Sequence, residues 1–271
     1  MCEGRFMIIQ EISPLGGIDI DYTNQIVKYN PNHQNNVDSS VENNPIVDNG
    51  LIPGVEVWSI FSPNQVDIRD GNPLIYALIG EGKWQFRSKP DKKAIEAQFN
   101  LIIDKFLMRH RHDLTVIAPT SNPLSEYIID ATTSKNTTIE YIKGVLLKLS
   151  TDDIAAMVED KDSFFVRTYK DDIDTARRTL FAYLERMNKE HDGIFTRIMI
   201  DNEKMRNALD RTLKNNDSLL AEDATKITDH DVLIVDDTIS RSPAILKTVN
   251  IIKSCYAPKS ITILTLFSRL R

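Results

Sequence analysis

The chain has 271 residues, 41% hydrophobic and 27% charged, the balance of an ordinary globular protein. Its 33 Lys and Arg against 39 Asp and Glu leave a net charge of −6, the wrong sign for a protein that coats nucleic acid. Cys2 and Cys255 are too few and too far apart for a disulfide framework or a metal cluster, no signal peptide opens the chain, and no run reaches 18 apolar residues. The expectation is a cytoplasmic protein without a membrane span.

In chain order, residues 6–11 read as a short strand. Residues 24–50 are rich in Asn, with Pro31, Pro45 and Gly50, and hold few apolar groups; they predict a long irregular loop, so that residues 1–54 form an N-terminal extension. Val55 to Phe61 alternates as a strand does. After the turn signal Asp70-Gly71-Asn72-Pro73, residues 73–78 suit a strand or a first helical turn. Ile95, Phe99, Ile102, Ile103 and Phe106 recur at helical spacing and predict a helix over 91–108.

Leu114 to Ala118 is an apolar run of strand length, broken by Pro119-Thr120-Ser121-Asn122. Pro123 then suits the start of a helix carrying Leu124, Ile128 and Ala131. Such a strand–loop–helix junction aims backbone amides at an anion. Residues 138–215 read as largely helical, best over 171–190, with a strand at Phe195–Ile200 and a polar loop at 213–223. His33, His110, His112, His191 and His230 have no spacing that suits zinc or a Ser/His/Asp triad.

The last segment carries the most chemistry. Val232-Leu233-Ile234-Val235 is a strand of the fully buried, parallel type. It runs into Asp236-Asp237 and a hydroxyl-rich loop, then into a helix with Ile245, Val249 and Ile252 on one face, then into the strand 260–267. This is a βαβ unit, and ligands of parallel sheets gather at the carboxyl ends of strands. Two adjacent carboxylates repel each other unless a cation or a ring of hydroxyls shares the site. A P-loop NTPase is excluded, since Gly80-Glu81-Gly82-Lys83-Trp84 lacks the required spacing. A phosphoacceptor receiver domain is excluded too, because only 34 residues follow Asp237 (271 − 237). Two readings stay open: a turn that caps a helix, and recognition of a phosphorylated sugar.

The segment Val232 to Ala244 resembles the signature of the type I phosphoribosyltransferases: four apolar residues, two acidic ones, two mostly apolar ones, then a five-residue phosphate loop. Its place near the C-terminus is similar to the competence-F-type branch. The resemblance implies an α/β fold with a parallel sheet flanked by helices over 55–271, and it leaves 138–200 as a helical insertion or hood. It further implies that Asp236 and Asp237 hold the ribose hydroxyls of phosphoribosyl pyrophosphate beside Mg²⁺. Thr238, Ser240, Arg241, Ser242, Pro243 and Ala244 would line the 5′-phosphate, and Pro119, Thr120, Ser121 and Asn122 the pyrophosphate.

Arg211 and Lys214, in a basic stretch with Lys204 and Arg206 that stands where the family has a mobile loop, would supply cations. The implied activity is transfer of phosphoribose to a nitrogen acceptor, with a homodimer left open. The phosphate loop departs from the family in having Ser242 where glycine is usual and Ala244 where Ser or Thr is usual. That departure motivates an alternative: a non-catalytic nucleotide- or phosphoribosyl-sensing module on the same fold.

Overall fold

A computed structural model describes residues 16–34, 36–63, 71–80, 82–110, 115–117, 123–136, 138–190, 193, 195, 199–209, 213–239 and 243–268. The expected strand at 6–11 lies outside the described residues.

The centre of the fold is a six-stranded sheet in the order β4-β5-β13-β12-β8-β9. Its strands are β4 (Ile46–Ile52), β5 (Val55–Ser59), β8 (Thr115–Ile117), β9 (Glu140–Ile142), β12 (Asp231–Ile239) and β13 (Ser260–Ser268). All neighbours are parallel except β4, which folds back on β5. Pro53 and Gly54 make that turn, and Gly54 takes φ +70°, a left-handed conformation cheap only for glycine.

Side-chain alternation divides β12 between two cores. Leu233 and Val235 pack on one face with α1 (Gly71–Ile79), α2 (Lys89–Arg109) and α3 (Pro123–Thr133). Val232 and Ile234 pack on the other with α8 (Ala221–Ile227) and α9 (Pro243–Tyr256). A strand covered on both faces must be apolar throughout, as Val232 to Val235 is. The protein is therefore α/β, with the βαβ unit formed by β12, α9 and β13, and the helices over 91–108 and 171–190 where their periodicity predicts them. Residues 73–78 fall inside α1, which decides between strand and helix.

The Asn-rich stretch is corrected by the structure. Residues 24–50 are not an irregular loop. A second sheet, in the order β6-β3-β1-β2-β7, joins β1 (Gly17–Asp21), β2 (Ile26–Asn30), β3 (Val37–Asp38), β6 (Ser62–Pro63) and β7 (Gln85–Phe86). Ile18, Ile20, Val27 and Val37 add to the core that α2 covers. The asparagines satisfy backbone and carboxylate groups at strand ends: Asn36 Oδ1 accepts from the Ile20 N–H at 3.0 Å, and Asn30 donates to Asp19 at 2.9 Å.

Asp38 is the hub. It is 5% exposed, and it accepts from the Ser40 N–H at 2.8 Å, the Ser40 hydroxyl at 2.6 Å and Asn43 at 2.7 Å. Asn44 in turn accepts from Ser62 at 2.7 Å, which ties the turn to β6.

The region 138–215 is also corrected. It holds β9 of the main sheet and a two-stranded ribbon of β10 (Leu146–Lys148) and β11 (Leu213–Asn215), the latter where a polar loop is predicted. The polar stretch ends in α8. Lys148 pairs with Leu213, so the chain between them leaves and returns at one point. The insertion thus spans about residues 149–212 and not 138–200. It contains α4 (Thr151–Glu159), α5 (Phe164–Thr168), α6 (Ile173–Glu190) and α7 (Glu203–Ala208) around its own core of Ile154, Val158, Phe165, Leu180, Leu184 and Met205. Phe195, Met199 and Ile200 lie in no strand, and the rest of the strand predicted there is outside the described residues.

If the N-terminal sheet is an ordered part of the fold, Asp38→Ala strands the buried Ser40 N–H and costs about 2–3 kcal/mol. Urea unfolding should read that loss. A midpoint unchanged from wild type would mean that the stretch is a loose loop after all.

Candidate functional site

The order of the strands sets where a ligand would enter. β8 leads through α3 to β9, on one side of the sheet and over one face. Its neighbour β12 leads through α9 to β13, towards the other side and over the other face. The two connections diverge, which opens a crevice above the carboxyl ends of β8 and β12, the topological switch point where open α/β sheets take ligands. Parallel strands lie about 4.8 Å apart, so the loops leaving β8 and β12 start side by side. They are the two loops that the sequence singles out. Pro119, Thr120, Ser121, Asn122, Ser240, Arg241 and Ser242 lie outside the described residues, but the elements that bracket them are in place: Ile117 and Pro123 on one side, Ile239 and Pro243 on the other. Pro243 and Ala244 form the first turn of α9.

Asp236 and Asp237 stand at this crevice. The described pairing of β12 with β8 ends at Ile234 opposite Ile117, two residues before Asp236. Beyond it the backbone finds other partners. The Asp237 N–H donates to Asp236 Oδ1 at 3.0 Å, the Thr238 N–H donates to Asp237 Oδ1 at 2.7 Å, and the Thr265 hydroxyl donates to the Asp237 carbonyl at 2.9 Å.

Burial pushes the Asp236 carboxyl up to about 8, and the charge of Asp237 beside it pushes the same way. The Asp237 N–H opposes both but does not win. Asp236 therefore resists ionising beside its neighbour. Among the described residues no group of three or more His, Cys, Asp or Glu gathers as a metal cage. Two carboxylates are nevertheless enough for Mg²⁺, which takes one or two carboxylates and completes its shell with waters and substrate phosphates. The pair fits that ion.

The cations expected at the site are placed elsewhere. Lys214 lies on β11 and pairs with Asp153, the N3 residue of α4, at 2.8 Å; its ammonium holds the Asp153 carboxyl below the usual range. Asn215, next to it, accepts from Tyr256 at the C-terminal end of α9. α9 has 14 residues, about 21 Å at 1.5 Å per residue, and its other end is the one that meets the crevice. The ribbon and Lys214 are thus anchored far from Asp236. Lys204 sits over the Tyr169 ring at 4.5 Å, within the insertion. Arg211 lies outside the described residues. Among the described residues of 201–214, Lys204 and Lys214 do not close over the acidic pair.

Three hydroxyls escape a reading of the sequence. Ser59, Thr265 and Ser268 are all buried at the carboxyl ends of β5 and β13, and Ser59 bonds Ser268. Register aligns Ser59 with Thr265 and Thr265 with Asp236. Strand pairing brings Ser59 and Thr265 to the level of Asp236, and the sequence does not mark them, since Thr262 in the same strand reads alike.

His110, which reads as an idle helix end, is the C-cap of α2 and packs between Trp58 and Phe106 at ring distances of 4.7 and 4.6 Å. With Glu56 and Arg109 it lines a cavity of about 570 Å³ at the amino edge of the sheet, opposite the acidic pair. Strand amino ends lack the diverging loops of a switch point, so the carboxyl edge remains the stronger candidate. No helix among the described residues is long and apolar enough to cross a membrane, and Cys255 is an exposed free thiol.

Comparison with protein-family models, with curated proteins and with solved structures yields no match.

The raised Asp236 pKa has a signed consequence for stability. Below 3.8 the carboxyl is protonated both folded and unfolded; between 3.8 and about 8 only the unfolded chain ionises it, so stability falls as pH rises through this window. Asp236→Asn removes that loss. Its melting temperature relative to wild type should climb between pH 4 and pH 8, by about 2–4 °C for each kcal/mol relieved. A difference that stays flat across those pH values would contradict the buried, proton-holding carboxyl.

Proposed function

We propose that the crevice above β8 and β12 binds a phosphorylated ribose, with phosphoribosyl pyrophosphate as the ligand and Mg²⁺ as its companion ion. One observation carries the reading: the central parallel strand bears an acidic pair near its carboxyl end, at a topological switch point between two strand–loop–helix junctions. In this reading Asp236 and Asp237 take the two ribose hydroxyls. Residues 240–244 receive the 5′-phosphate at the start of α9, where free N–H groups and the helix dipole favour an anion. Residues 119–122 receive the pyrophosphate in the same way at the start of α3. Mg²⁺, when bound beside the carboxylates, would supply charge neutralisation at the pyrophosphate oxygens.

Transfer would break the bond from ribose C1 to the pyrophosphate oxygen, which leaves with the electron pair. A nitrogen lone pair of the acceptor would form the new bond to C1 and then lose its proton to solvent. The protein's part is to hold the ribose and both phosphate ends in line while positive charge grows on the sugar.

A second reading is favoured by one finding. Lys214 and Lys204, two of the cations expected to hold the leaving pyrophosphate, are engaged within the insertion and its ribbon. A site without them binds the ligand and does not turn it over, which is the behaviour of a sensing module.

Calorimetry with phosphoribosyl pyrophosphate and Mg²⁺ tests the common core of both readings. The double variant Asp236→Asn, Asp237→Asn should lose binding by about a hundredfold or more, the equivalent of two hydrogen bonds to charged groups, while keeping its circular dichroism. Equal binding in the variant and the wild type would sink both. Release of pyrophosphate with any base or amine then separates the enzyme from the sensor.

A further inference from the structure

We infer that Thr265, on β13, is the positioning residue of the acidic pair: its buried hydroxyl anchors the Asp237 backbone and so sets how the two carboxyl groups face each other. The inference deepens the proposed ligand site and rests on that reading for its functional meaning, but the geometry behind it stands alone.

Thr265 is fully buried in the middle of Ile263, Leu264, Leu266 and Phe267. A valine would fill the same space, and burying a hydroxyl instead costs about 1–3 kcal/mol unless the hydroxyl is bonded. It is bonded: Oγ1 lies 2.9 Å from the Asp237 carbonyl and 3.0 Å from the Phe267 carbonyl, so one proton is shared between β12 and β13. The bond lies within the strand ladder: Asp236 pairs with Thr265 and Thr238 with Phe267, and the Thr265 hydroxyl reaches the Asp237 carbonyl between these two steps.

Thr265 is itself held from the opposite side. The Ile60 N–H donates to its carbonyl at 2.9 Å, and the Phe61 N–H donates to the next carbonyl, that of Leu266, at 2.9 Å. A side chain fixed in this way is a rigid post. From it the peptide joining Asp237 to Thr238 is oriented so that the Thr238 N–H meets Asp237 Oδ1 at 2.7 Å, while the Asp237 N–H meets Asp236 Oδ1 at 3.0 Å. Both carboxyl groups are thereby aimed by backbone that the Thr265 hydroxyl holds. Without the hydroxyl the Asp237 carbonyl is released, the peptide rotates, and the carboxyl groups part.

The test replaces Thr265 by valine, which keeps the shape and removes the donor, and by serine, which keeps the donor. Amide hydrogen exchange of Thr238, read by ¹H–¹⁵N NMR, follows the peptide in each protein without any ligand. In Thr265→Val it should quicken about tenfold or more as the Thr238 N–H loses Asp237 Oδ1, and in Thr265→Ser it should stay with the wild type. Affinity for phosphoribosyl pyrophosphate with Mg²⁺ should drop about tenfold in the valine variant, as for one lost hydrogen bond, and recover in the serine variant.

Unchanged exchange of the Thr238 amide in folded Thr265→Val overturns the inference, as does quickened exchange in Thr265→Ser. Should the valine variant fail to fold, Thr265→Ala is read by the same criteria. If wild type binds no phosphoribosyl pyrophosphate, the proposed function fails, while the exchange still decides whether Thr265 positions the pair.

Discussion

The parallel pairing of β12 between β8 and β13 is the constraint on which the rest depends. Val232 to Val235 are fully buried, divided by alternation between the two cores, and so cannot shift by one residue without exchanging faces. That register fixes how far the strand runs before its neighbour β8 ends, and hence where Asp236 and Asp237 emerge. Two adjacent carboxyl groups that follow four fully buried apolar residues are expensive to ionise together. Burial and the neighbouring charge push the Asp236 carboxyl up, while two backbone N–H groups bond the carboxyls and the Thr265 hydroxyl bonds the Asp237 carbonyl. The site's chemistry is thus a consequence of where the sheet stops being covered.

Legibility in the sequence followed the range of the interactions involved. α2 and α6 could be read because helical contacts recur every three or four residues, so Ile95 to Phe106 and Ala176 to Met187 announce themselves within one window. The βαβ unit could be read because the strand 232–235 is apolar without interruption.

The N-terminal sheet could not. β2 has only five residues and ends in asparagine, and beyond its hairpin with β1 it pairs with β7 almost sixty residues away, a partner that no local window contains. The asparagines that look like loop residues in fact close hydrogen bonds at strand ends, as Asn30 and Asn36 do. Lys214 misleads for a related reason. A charge in sequence proximity to a motif says nothing about distance in space, and the β10–β11 ribbon carries it to the far end of α9. Thr265 is silent in the sequence because its partner is chosen by strand register.

The insertion adds a separate body of helices on a narrow ribbon. Its ion pair between Lys214 and Asp153 locks the ribbon to the first turn of α4, and its core is distinct from the two that clothe the main sheet. An acceptor or partner recognised by this body would approach from the side of α8 and α9, not through a lid closed over Asp236. Under the proposed function the sheet edge would present the ribose site, and the insertion a second surface anchored by its ribbon at the far end of α9.

A crystal soaked with phosphoribosyl pyrophosphate and Mg²⁺ tests this account most directly. The account predicts ligand density between the loop after β8 and the loop after β12, with both ribose hydroxyls on Asp236 and Asp237. Density in the cavity beside His110 at the opposite edge, with the acidic pair bare, would contradict it.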